Sequence, residues 1–414
     1  MPEVEIATLG VRGDGIADLD GRSVYVPYTL PGDRARVRID NARDGSVHAH
    51  LEALLRAGPD RIDAVCAHFG ACGGCMLQHV GTAAYRRWKT GLVGAALAKR
   101  GLADVAVGEL IVTPPAGRRR TQFAALRRRN GVVLGFNKRR GRRIVDLSEC
   151  HVLRPAIVEL LPPLRRLMAD LLSTGDAIDV HVTETDSGLD LWLRGDRPLG
   201  LGLAEHEALG GFAEAEDLAR LCWGDPSPET VVVRRTPTVA LAGVDVAIPP
   251  GAFLQASRDG EVALCEIVGA TLADSRHVLD LFSGCGTFAL SAPTAARVTA
   301  VDADAAMVGA LTAAARGRPI SVERRDLQRR PFSTAELNGF DAIVFDPPRA
   351  GAREQATAIA DSTVSTVVAV SCNPATFARD ARILIDGGYR LKNLTPVDQF
   401  LWSHHLELVA VFAR

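Results

Sequence analysis

At 414 residues, 47% hydrophobic and 23% charged, the chain has the composition of a globular protein of two or three domains. No apolar run is long enough to cross a bilayer, and the opening Met1-Pro2-Glu3-Val4-Glu5 lacks a basic-then-apolar leader. Membrane and secreted classes are therefore not expected, and a cytoplasmic location is. The net charge of −1 conceals an asymmetry: Arg118 to Arg143 holds ten Arg, one Lys and no acid, a local +11 that leaves −12 for the remainder. One intensely basic segment on an acidic body is the footprint of a polyanion surface, so nucleic acid is the expected partner.

In chain order, residues 1–57 alternate in short runs (Val4 to Leu9, Ser23 to Val26, Ala35 to Ile39) separated by Gly13-Asp14-Gly15 and Pro31-Gly32-Asp33. Such spacing predicts a small β-barrel. The pieces Leu9-Gly10, Gly13-Asp14-Gly15-Ile16-Ala17, Val26-Pro27 and Leu30-Pro31-Gly32-Asp33 resemble the TRAM domain, an OB-like barrel found on RNA-modifying enzymes.

Residues 58–245 are expected to form a mixed α+β central domain. It opens on Cys66, Cys72 and Cys75, spaced C-x5-C-x2-C among glycines. Three thiolates this close repel one another unless a metal centre holds them. Cys150 is the natural fourth ligand. Zinc accepts four cysteines but usually through paired C-x2–4-C hooks, whereas one triple with a distant single suits a [4Fe–4S] cluster. Thr82 to Leu102 reads as a helix, and residues 110–245 alternate like strands.

Residues 246–414 change texture to alternating strands and helices, a Rossmann-like α/β domain. Val278 to Phe282 runs into Ser283-Gly284-Cys285-Gly286-Thr287, and the next strand ends at Asp302. Strand, Gly-x-Gly turn, helix, strand and acid describe a nucleotide site. The third glycine of a dinucleotide fingerprint is missing, since Ala stands at 289. Asp280 within the strand disfavours a pyrophosphate and suits the cationic amino-acid end of S-adenosylmethionine. Two further apolar runs end in Asp346-Pro347-Pro348-Arg349 and Ser371-Cys372-Asn373-Pro374, placing a carboxylate and a candidate nucleophile at strand tips.

Taken together, Phe253-Leu254-Gln255, Asp280 to Thr287, Asp346 to Gly351, Val370 to Thr376 and His405-Leu406-Glu407 resemble the S-adenosylmethionine-dependent RNA uracil-5-methyltransferases of the rRNA type. The resemblance implies a class I methyltransferase domain after a TRAM barrel. It also implies that Gln255, Phe282, Thr287, Asp302, Asp326 and Asp346 contact or shape the cofactor site, with Cys372 as nucleophile, Glu407 as base and Asp346 at the uracil edge or the cofactor. Cys66, Cys72, Cys75 and Cys150 would hold a [4Fe–4S] cluster, and the helix near 82–102 would pack on the catalytic domain. Ser283 and Thr287 stand where Cys and Asn are common. The expected partner is RNA, rRNA ahead of tRNA, acted on by a monomer. The rival reading, a non-catalytic RNA-binding iron–sulfur protein, leaves Cys372, Asp346 and the glycine turn unexplained.

Overall fold

The computed structural model describes residues 1–40, 47–195 and 201–414. Strands Glu3–Glu5, Thr8–Leu9, Gly15–Leu19, Arg22–Val26, Arg34–Ile39 and Val47–Arg56 form the first sheet. Their two-residue period turns Val4, Val24, Val26, Ala35, Val37 and Ala49 inward as one small core. Asp20 and Gly21 both take positive φ and close the hairpin between Leu19 and Arg22, as a two-residue turn that matches strand twist requires.

The second sheet has seven strands, drawn from Arg120–Arg128, Gly131–Asn137, Ile144–Asp146, Ala177–Thr185, Gly188–Gly195, Arg220–Trp223 and Glu229–Val233. It is antiparallel except where Gly188–Gly195 pairs with Arg220–Trp223. One face buries Phe123, Leu134, Val180 and Leu191 together with Leu164, Met168 and Leu209 from the helices Leu161–Leu171 and Leu203–Ala215. The strand reading of residues 110–245 passed over these helices. Pro162-Pro163 looks like a turn, yet in a first helical turn the missing N–H has no partner to lose. The acidic stretch from Gly210 is mostly the second half of Leu203–Ala215.

The third sheet positions the candidate site. Its eight strands lie in the order Ile320–Arg324, Arg297–Asp302, His277–Leu281, Ala342–Phe345, Thr366–Ser371, Glu407–Ala413, Arg390–Asp398 and Ile111–Val112. The first five are mutually parallel, and Glu407–Ala413 runs antiparallel to both neighbours. Chain order reverses between His277–Leu281 and Ala342–Phe345, and a crevice opens at the carboxyl ends of strands on such a reversal. Helix Thr82–Ala98, though early in sequence, buries Val93 and Leu97 in the same core as Leu279, Phe377 and Phe412. Among the described residues no helix is long and apolar enough to cross a membrane.

One buried carboxylate fastens the barrel to the start of the central domain. Asp33 accepts N–H bonds from Leu30 at 2.9 Å and Gly58 at 2.8 Å and pairs with the Arg61 guanidinium at 2.6 Å. Burial opposes its charge, but these donors together hold its pKa below the ordinary carboxylate value. Its stabilisation is therefore complete above the unfolded-state pKa and is lost as pH falls through the lower folded value. Arg61→Ala leaves that carboxylate buried and short of donors, and should cost about 3–5 kcal/mol. Comparing denaturation of the wild type and Asp33→Asn from neutral pH to about pH 3 should show their difference shrinking only in acid.

Candidate active site

Two motif loops leave adjacent parallel strands and are stitched together by side chains. Asn373 caps the helix Pro374–Asp386 by accepting the Ala375 N–H at 3.1 Å, and its amide donates to the Arg349 carbonyl at 3.0 Å. Thr376 donates to the same carbonyl, and Arg379 to that of Ala350. Gly351 has φ +77, and a Cβ there would stand 2.7 Å from the Asp380 carboxylate, so the loop closes only on glycine. Cys372 and Asp346 are thus delivered to one place by a frame with little freedom.

Glu407 joins them from the antiparallel strand. Ser371 pairs with Leu408, so the residues one step beyond, Cys372 and Glu407, lie side by side. Glu407 is 4% exposed, so its carboxyl is buried rather than solvated. A hydrogen-bonded chain supports Asp346 from behind: Gln399 donates to Gln255 at 2.6 Å, and Gln255 donates to Asp346 at 3.1 Å. Asp346, Glu407, Cys372, Gln255, Phe282, Thr287, Asp302 and Asp326 all line one cavity of about 740 Å³.

Electrostatics in that cavity favour uncharged forms. Burial pushes Asp346 up to about 7. Glu407 is driven well above the carboxylate range by burial and then by Asp346, with Arg120 drawing it only partly back. Two buried carboxyl groups this close share at least one proton near neutrality. The Cys372 thiol is pushed up to about 11 by burial, Glu407 and Asp346, against the pull of Arg349.

At the other end, the chain turns sharply after Leu281. Phe282 has φ +63, a conformation few side chains adopt, and Gly286 has φ +99 with no room for a Cβ beside Leu311. Asp302 accepts N–H bonds from Gly284 and Asp304, both at 2.9 Å, so it fixes the turn as well as lining the cavity. Asp326 likewise caps the turn at Gln328 while facing the cavity. Asp280 lies beneath, fully buried in register with Ala300 and Val344, and among the described residues neither of its oxygens meets a partner in good hydrogen-bond geometry. Burial holds it protonated far above its usual pKa. Orphaned oxygens on Ser283 and Glu407, both on the cavity wall, fit a site shaped for a polar ligand.

The basic segment needs correction, because several of its cations do have counter-charges. Arg119 is buried against Glu261, and Arg139 and Arg140 both grip Asp14 of the barrel. Arg118 and Arg120 turn inward: Arg120 stacks on Phe253 at 4.3 Å and lines the cavity, its pKa lowered by burial to about 10. Arg128, Arg129, Arg142 and Arg143 remain exposed. Sequence reasoning did not single out Arg120 or Phe400, which line the cavity together with His405 of the His405-Leu406-Glu407 motif. Phe400 lies seven residues before Glu407, and that nearness was the available signal.

Cys66, Cys72, Cys75 and Cys150 line a second cavity of about 720 Å³, which shares Arg118, Arg349, Phe400 and His405 with the first. Burial raises the thiol pKa of Cys66, Cys72 and Cys75, that of Cys75 to about 12, and all three also feel Cys150. Among the described residues no group of three or more His, Cys, Asp or Glu forms a ready shell for a metal ion.

Comparison with known proteins places this geometry. Residues 2–51 match the TRAM domain model, and residues 321–414 match the tRNA (uracil-5-)-methyltransferase model. An RNA methyltransferase of Mesorhizobium japonicum is 45% identical, covering 99% of this chain and 97% of its own. The 23S rRNA (uracil(1939)-C(5))-methyltransferase RlmD of Pectobacterium atrosepticum is 31% identical, covering 99% and 93%. The fold is shared with the Pyrococcus abyssi tRNA (uracil-54, C5)-methyltransferase, solved with S-adenosyl-L-homocysteine, at TM-score 0.79 and 23% identity over the whole of both chains. With a thiol, two carboxyls and a glycine turn gathered at a sheet reversal, behind a TRAM barrel, the chain belongs to the S-adenosylmethionine-dependent RNA uracil-5-methyltransferases.

Proposed function

We propose that this enzyme methylates C5 of a uridine in 23S rRNA through a covalent bond between Cys372 and C6 of the base. The observation that carries the reading is the meeting of Cys372, Glu407 and Asp346 in one cavity with the glycine-turn residues. The rRNA substrate is favoured over tRNA by full-length similarity to RlmD, named for 23S rRNA. The tRNA enzyme from Pyrococcus abyssi shares the fold at a lower identity.

Uracil C5 is too weak a nucleophile to be alkylated directly. Addition of the Cys372 thiolate to C6 moves the ring's C5–C6 electron pair into an enolate spread over C5 and O4. Bound S-adenosylmethionine supplies an electrophilic methyl group and a positive charge, and Gln255, Phe282, Thr287, Asp302, Asp326 and Asp346 would hold it. Asp346, steadied by Gln255, accepts a hydrogen bond at the uracil edge or from the cofactor. Glu407 then takes the C5 proton, the C6–S bond breaks and the double bond returns with Cys372 released. Glu407's raised proton affinity makes it a strong base once ionised, and Arg120 and Arg349 favour that ionised form. The target base must leave its stack to reach this depth, while the exposed arginines hold phosphates.

We also infer a [4Fe–4S] cluster on Cys66, Cys72, Cys75 and Cys150. A cubane is bulkier than one ion, so its ligands stand further apart than a zinc shell, in keeping with four cysteines around a roomy cavity. Metal binding would relieve the cost of burying these thiols by taking their protons' place. The division into 1–57, 58–245 and 246–414 is proposed on the same footing, supported by the six-, seven- and eight-stranded sheets, with Thr82–Ala98 and Ile111–Val112 crossing over to the last part and the hairpin Thr238–Leu241 with Val244–Ala247 spanning the second boundary.

Cys372→Ala should abolish turnover and the RNA adduct while leaving cofactor binding intact; full activity would refute the nucleophile. Glu407→Gln should accumulate methylated adduct, seen as a protein–RNA band resistant to denaturation. Because the thiol is held at about 11, adduct formation in single turnover should rise with pH from about 6 to about 9. Replacing Arg127, Arg128 and Arg129 by Gln should flatten the salt dependence of RNA binding by about two to three units of slope. Anaerobically prepared protein should carry about four irons and four sulfides, lost in Cys150→Ser; zinc instead would correct the cluster assignment.

A further inference from the structure

Helix Thr82–Ala98 sends two polar side chains into the core that the reaction above does not use. Lys89 is fully buried and Tyr85 nearly so, and both end on Asp398, itself fully buried. Lys89 Nζ donates to Asp398 Oδ1 at 2.8 Å, and the Tyr85 hydroxyl donates to Oδ2 at 2.5 Å. A dry ion pair is poor evidence for stability, because desolvation offsets much of the attraction, so its position matters more than its energy.

Asp398 ends the strand Arg390–Asp398 and opens the segment 399–406 that leads to Glu407. The same three residues grip that segment along its length. Asp398 Oδ1 accepts the Phe400 N–H at 3.2 Å, Tyr85 oxygen accepts the Trp402 N–H at 2.9 Å, and Lys89 also donates to the His405 carbonyl. Trp402, held at φ +57, in turn accepts the N–H groups of Met76 and Leu77, just past Cys75, at 2.8 and 3.1 Å. The held segment supplies Gln399 to the Gln255–Asp346 chain, puts Phe400 and His405 on the cavity wall, and delivers Glu407. None of these contacts reaches the glycine turn, Asp302 or Asp326.

We propose that Tyr85 and Lys89 are positioning residues for the base of the reaction, setting Glu407 through Asp398 and the segment 399–406. This rests on the reading of Glu407 as the base, so Glu407→Gln and Cys372→Ala are run alongside as independent checks of that reading. The test uses full-length Tyr85→Phe, which removes one O–H, and Lys89→Met, which keeps the aliphatic stem. For each, kcat, the KM for RNA, cofactor affinity by calorimetry and the steady-state fraction of methylated RNA adduct are measured.

Both variants should bind S-adenosylmethionine within about twofold of wild type, lose about tenfold or more in kcat, and retain a larger share of RNA as methylated adduct. Tyr85→Phe, the milder change, carries the test if Lys89→Met does not fold. A lowered melting temperature with unchanged kcat and adduct share would overturn the proposal, as would cofactor affinity falling in step with activity. Failure of both variants to fold would overturn it too, since the network would then be a stability element. If Glu407→Gln builds up no adduct, the base assignment fails instead, whatever the latch variants do.

Discussion

The structure depends on acidic groups and a thiol held in, or buried just beneath, a crevice too dry to keep them all ionised. Asp280, Asp346 and Glu407 all have raised pKa values, with burial the largest cause in each, and Cys372 is raised beside them. Arg120 and Arg349 face the same space, yet neither forms an ion pair among the described residues, so the negative charge is balanced at a distance. A pocket in this condition favours a cationic ligand, because a positive charge makes several ionisations less costly at once. Methyl donor and proton bookkeeping are therefore linked by burial itself, before any particular hydrogen bond is considered.

That burial is achieved by topology. A parallel sheet whose chain order reverses presents strand ends as a crevice, and the antiparallel strand Glu407–Ala413 brings the Glu407 carboxyl in from the opposite direction. Asn373, Thr376 and Arg379 then tie together the two motif loops that carry Asp346 and Cys372. The cysteine-lined cavity shares four residues with the cavity of Cys372 and Asp346, so the two are continuous along one wall.

What was legible in the sequence was local. Strand-tip motifs such as Asp346-Pro347-Pro348 and Cys372-Asn373-Pro374 announce themselves because the apolar run and its polar end are neighbours in the chain, and the barrel's turns are written in adjacent glycines. Contacts at long range left no mark. Lys89 reads as one more solvent cation of a helix and Asp398 as a strand-end acid, yet 309 positions apart they form a buried pair. The helix Leu161–Leu171 was hidden for another reason: Pro162-Pro163 signals a break by composition, and only its place in the first turn makes it harmless.

Charge composition shows the same limit from the other side. The run from Arg118 to Arg143 is uniform as text, but depth and strand alternation give its members unlike tasks. Arg119 is neutralised by Glu261 inside the protein, and Arg139 and Arg140 spend their charge on Asp14, fastening barrel to central domain. Arg120, one strand position from Arg119 and so on the opposite face, lines the cavity that holds Cys372, Asp346 and Glu407. Arg128 and Arg129 stay in solvent, where a polyanion can reach them. A basic segment therefore predicts the partner's sign, and it takes the fold to say which cations stay in solvent, which pair with acids from other parts of the chain and which line the candidate site.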